Sequence, residues 1–148
     1  LIIASKNGNI DIVKFLIEND ADIHLKNKNG NNALMIAIKY NQFLVVKYLI
    51  TYGTKINEGN YSGWTPLMIA SRNNNLDLVK YLRANGALIQ AKNNSGWTPL
   101  MAAAESGNVE IVKYFIQCHA NVNECNKNQW NSLMIAAGKG HLSIVKEL

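Results

Sequence analysis

The sequence predicts an all-α solenoid of short helix-turn-helix units stacked side by side. Three observations predict it. A block of residues recurs every 33 positions, each period holds two apolar stretches at helical spacing, and the two are separated by residues that tolerate left-handed backbone. One such pair of helices cannot bury its own apolar residues on both sides, so neighbouring copies must stack into a quasi-one-dimensional array.

The first stretch is Asn32-Ala33-Leu34-Met35-Ile36-Ala37, and its copies begin at Thr65, Thr98 and Asn131. Leu1, Ile3 and Ala4 stand 33 residues before Leu34, Ile36 and Ala37, so the chain opens inside an earlier copy. Thr65 is suited to cap a helix with Pro66 at its first position, where the missing N–H costs nothing. Leu67, Ala70 and Ser71 then form a narrow packing face. Gly8, Asn41, Asn74, Gly107 and Gly140 share one position and mark the turn between helices.

The second stretch is Ile12-Val13-Lys14, repeated as Val45-Val46-Lys47, Leu78-Val79-Lys80, Ile111-Val112-Lys113 and Ile144-Val145-Lys146. In the third unit it predicts a helix over 75–84 with Leu78, Val79 and Leu82 as the buried stripe. The lysines fall off that stripe and read as a solvated face. Tyr52-Gly53 and Asn85-Gly86 stop the helices, Ile56, Ile89 and Val122 follow as apolar anchors, and the polar stretch after each reads as an exposed turn.

The period, the Gly-x-Thr-Pro-Leu block and the Ile-Val-Lys block resemble the ankyrin repeat. The resemblance divides a single domain, 1–148, into a partial copy at 1–26, full copies at 27–59, 60–92 and 93–125, and a partial copy at 126–148. It implies L-shaped units with antiparallel helices and projecting β-turn fingers, whose concave face commonly binds other proteins. The departures matter as well. Met35, Met68, Met101 and Met134 replace the family's usual His, which predicts apolar packing in place of a Thr-to-His hydrogen-bond network. Asn27, Asn60, Asn93 and Asn126 stand where Asp is common. Gln129 replaces the glycine of Gly30, Gly63 and Gly96, which predicts a different fifth finger. Asp20 and His119 replace the glycine of Gly53 and Gly86, which predicts strained or reshaped turns.

Carried over by position, the resemblance assigns partner contacts to the fingers and inner helices. In the second unit these include Lys28, Asn31, Lys39 and Tyr40, and in the third Tyr61, Trp64, Arg72 and Asn73. Ser95, Trp97 and Glu105 follow in the fourth, with Trp130 and Lys139 in the fifth. Trp64, Trp97 and Trp130 share one position, so their indoles are expected to form a ladder between helices about 8 to 10 Å apart. Two readings of that ladder stay open: a binding hot spot, because aromatics and Arg dominate such spots, or packing against the neighbouring finger.

Composition sets the remaining expectations. No apolar run approaches the roughly 18 residues a membrane span needs. Cys118 and Cys125 suit reduced thiols and a cytoplasmic setting. With His119 they make three scattered ligands, too few for a zinc site. No nucleophilic or phosphate-binding constellation stands at usable spacing, Glu105 and Glu110 read as single surface charges, and His141 is isolated. No enzyme activity, metal or cofactor is therefore expected. The net charge of +5 is spread along the chain without a basic cluster, which disfavours nucleic acid. The function expected is a scaffold or adaptor that binds a protein partner. A substrate-recruiting segment of a larger enzyme and a purely structural spacer stand as alternatives. Both ends are as apolar as interior copies, which predicts a piece of a longer array, monomeric but with ends open to self-association.

Overall fold

The computed structural model describes all residues, 1–148, as ten α-helices without a strand. Five short inner helices alternate with five outer ones. The inner set is α1 (Ile2–Asn7), α3 (Ala33–Lys39), α5 (Pro66–Arg72), α7 (Pro99–Glu105) and α9 (Ser132–Lys139). The outer set is α2 (Ile10–Glu18), α4 (Phe43–Thr51), α6 (Leu76–Ala84), α8 (Val109–Gln117) and α10 (Leu142–Glu147). Each inner helix packs on the next inner helix and on its own outer partner, the solenoid arrangement the period requires.

Caps set where the inner helices begin. The side chains of Asn32, Thr65, Thr98 and Asn131 accept the backbone N–H of Met35, Met68, Met101 and Met134 respectively, and Pro66 and Pro99 occupy first positions. Leu67, Leu78, Val79, Leu82 and Phe115 are fully buried in one continuous core that runs through all the repeats. Met35, Met68 and Met101 are fully buried as apolar packing, but Met134 is half exposed, because no sixth inner helix packs on α9.

The turns correct one expectation and decide another. Asp20 and His119 keep the left-handed backbone of Gly53 and Gly86, at φ 62° and 59°, so those turns are strained and not reshaped. Gln129 does the same at φ 62°, and the fifth finger closes like the others: Asn126 N–H donates to Trp130 O and Gln129 N–H to Asn126 O. Tertiary packing imposes the backbone, and the side chain bears the strain.

The lysines of the outer helices are also more than a solvated face. Lys14, Lys47 and Lys80 lie over the rings of Tyr48, Tyr81 and Tyr114 in the following repeat, at 6.0, 5.8 and 5.9 Å. At the equivalent step Lys113 meets Glu147 at 3.7 Å instead, and it also pairs with Glu110 at 3.3 Å, so Glu110 is not a lone charge. A second link crosses at the helix turns. Gln42 Nε2 donates to Lys6 O, Asn108 Nδ2 to Ser71 O, and the His141 ring meets Glu105 O at 3.1 Å, so His141 is a junction between repeats.

Candidate functional site on the concave face

Each finger is a β-turn held by one asparagine. Asn60 Oδ1 accepts the N–H groups of Ser62 and Trp64, and Asn27, Asn93 and Asn126 repeat the arrangement. A neutral amide thus closes every finger. Adjacent fingers are joined by single backbone hydrogen bonds, Tyr61 N–H to Asn29 O, Asn94 N–H to Ser62 O and Lys127 N–H to Ser95 O. At the finger bases, Lys26 pairs with Glu58 and Lys92 with Glu124, both at 2.7 Å. The hydrogen bond from each lysine holds the carboxyl of its glutamate below the ordinary carboxylate value.

Where the second and third fingers meet α3 and α5, a cleft of about 310 Å³ opens. Five of the residues expected to touch a partner line it, namely Asn31, Lys39, Trp64, Arg72 and Asn73, together with Met35, Asn60 and Ile69. Its position follows from one substitution in the repeat. Asn31 occupies the place that Trp64, Trp97 and Trp130 hold in later units, and the missing indole leaves the space.

The cleft wall is built of stacked groups. The Arg72 guanidinium lies 5.0 Å from the Trp64 ring centre and pairs with Glu105 at 3.2 Å, while Lys139 approaches Glu105 from the next repeat at 3.9 Å. Glu105, expected to be a single charge, therefore ties together three repeats. Asn73 Nδ2 donates to the carbonyls of Ile38 and Lys39, fixing α5 against the end of α3.

The expected ladder of three indoles is a pair and an outlier. Trp64 and Trp97 lie 6.2 Å apart, tilted by 34°, and both are half-buried. Trp130 makes no such contact and is 49% exposed. Gly138 stands where Arg72 and Glu105 stand in earlier units, and without a side chain there the Trp130 ring settles onto α9.

The other expected contact residues lie outside the cleft. Lys28, Tyr61 and Ser95 are exposed on finger tips, with Lys26 6.0 Å over the Tyr61 ring. Tyr40, at the end of α3, is exposed, with Lys6 Nζ 5.1 Å from its ring centre. Met35, Ile69 and Asn60 were not legible as site residues, since their types suit a core or a turn. The break in the tryptophan column at Asn31 was the sequence signal for the cleft. No group of three or more His, Cys, Asp or Glu gathers as a metal site, both cysteines are free, and no helix is long and apolar enough to cross a membrane.

The stacked helix pairs and the cleft beside their inner helices define a helical repeat module. A family model described as ankyrin repeats in three copies matches residues 1–93 and again 86–148, and the chain belongs to the ankyrin-repeat family. Over 37 residues, 25% of the chain, it is 54% identical to an ankyrin repeat protein of Rickettsia prowazekii (strain Madrid E). The match spans 35% of that relative's length. Ankyrin repeats are generally protein–protein interaction modules.

Proposed function

We propose that the chain, as one domain over 1–148, is a protein-binding module that acts as a cytoplasmic scaffold or adaptor through its concave face, without turnover. The observation that carries this reading is the Trp64 wall of the cleft. A half-buried indole stacked under Arg72 and beside Trp97 is rigid, so a partner meets an ordered surface and little entropy is lost on contact. Aromatic and Arg side chains in such settings supply most of the energy of protein interfaces.

The test is affinity capture with the intact protein followed by the same capture with Trp64→Ala and Arg72→Ala. Specific partners retained by the parent protein and by Lys80→Ala, but lost from both cleft variants while the melting temperature stays within about 5 °C, support the reading. If Trp64→Ala lowers the melting temperature by more than this and still retains every partner, the indole serves packing and the proposal fails.

A further inference from the structure

The positive charge is spread evenly along the sequence but not around the molecule. Lys6, Lys28, Lys39, Arg72, Lys127 and Lys139 stand on inner helices or on the finger tips, 27–31, 60–64, 93–97 and 126–130. Glu105 is the one acid on those same segments. The nine other basic residues are matched by nine acids on the outer helices, the finger bases and the turns, so the concave side carries the entire net charge of +5. Of its six cations only Arg72 and Lys139 meet a carboxylate, and both share Glu105.

The cleft concentrates this field on a recognisable shape. No acid lines it, Lys39 has no carboxylate within salt-bridge distance, and the Asn31 amide nitrogen donates to no protein group. Ile69 and the Trp64 ring, both partly exposed, supply apolar surface beside those donors. A volume of about 310 Å³ suits one or two side chains. A nucleic acid fits the same surface poorly, because its regular phosphates call for a continuous run of cations. Here Glu105 interrupts the run.

Resting on the protein-binding reading above, we infer that the partner presents an acidic segment and that the cleft receives one of its Asp or Glu side chains. The carboxylate meets Lys39 and the Asn31 amide, and the methylene part lies on Trp64 and Ile69. The wider charge of the concave face steers the segment in and aligns its neighbouring acids along the finger tips.

A random peptide library displayed on phage, selected on the intact protein, tests this directly. Enriched peptides should be rich in Asp and Glu, and their binding should be monitored by Trp emission and titrated against salt. Replacing the acids of one enriched peptide by Gln and Asn should weaken it by about tenfold per residue seated in the cleft. Lys39→Gln should cost about the same factor, with Lys80→Gln on an outer helix leaving affinity unchanged. An enriched pool without acidic bias overturns this inference and leaves protein binding standing, while failure to enrich any pool overturns both. Equal weakening by Lys80→Gln shows diffuse attraction and overturns the cleft assignment. So does displacement of the peptide by single-stranded DNA at an equal or lower concentration.

Discussion

At the scale of single residues, a few buried polar groups lack hydrogen bonds and several non-glycine turns are strained. Asn32 caps α3 through its oxygen, but its amide nitrogen is buried without a partner. Thr65 and Thr98 perform the same cap in the next two units with no nitrogen to leave stranded. An orphaned buried polar group costs about 1 to 3 kcal/mol, and threonine caps only slightly less well than asparagine. Asn32→Thr is therefore expected to stabilise the protein by about 1 kcal/mol, read as a rise in the urea midpoint. No change or a fall would mean that the amide nitrogen is not the burden described. Gln129 is a second case. It holds a φ of 62° where Gly30, Gly63 and Gly96 lie at 77 to 79°. A left-handed non-glycine residue costs roughly 1 to 2 kcal/mol, partly offset by the greater chain entropy glycine adds to the unfolded state. Gln129→Gly should gain about 0.5 kcal/mol in the same assay. Gly63→Ala should lose several times that, since a β-carbon there would lie 2.6 Å from Asn94 Oδ1 and 2.8 Å from Asn94 N.

At the scale of elements, the fingers divide into pH-insensitive tips and acid-sensitive bases. The tips turn on Asn27, Asn60, Asn93 and Asn126, which do not titrate, whereas the bases are joined by Lys26–Glu58 and Lys92–Glu124. Because the folded state holds Glu58 and Glu124 below their ordinary value of 4.5, folding favours their charged forms. That contribution is complete above about pH 5 and is lost as pH falls through the lowered folded values. The urea midpoint should drop as pH falls below about 5, and the drop should be shallower in the double variant Lys26→Met, Lys92→Met. Identical profiles would show that these pairs do not couple to folding. The same elements show what a sequence can reveal. Helices, caps and turn positions were legible because each unit must bury the same face, and the period repeats that demand. Side chains that act between units were not. The lysines at 14, 47 and 80 looked solvated because their tyrosines belong to the next repeat, although the constant 34-residue step to Tyr48, Tyr81 and Tyr114 was there to be read. Glu105 looked solitary for the same reason, its partners lying one repeat to either side.

At the scale of the whole molecule, the stack leaves an apolar face at each end. Ile3, Ile12, Phe15 and Leu25 are exposed at the first repeat, and Trp130, Leu133, Met134 and Leu142 at the last. Inside the array the equivalents of Leu133 and Met134, at Leu100 and Met101, are almost wholly buried by the next repeat. The two ends are thus opposite halves of the interface that recurs between neighbouring units. One copy's last repeat can meet another's first in the geometry already used within the chain, a head-to-tail contact that does not close. The 148-residue chain is accordingly expected to associate as its concentration rises, with a weight-average mass in sedimentation equilibrium that keeps growing and does not plateau at a dimer. Leu133→Gln with Met134→Gln, which places two amides on one half of the contact, should return it to a monomer. Because neither residue lines the cleft, the concave-face affinity of that variant should match the parent's. A plateau at twice the monomer mass would indicate a closed, symmetric contact and rule out end-to-end stacking. Loss of peptide affinity in the monomeric variant would mean that the binding surface is completed across two copies.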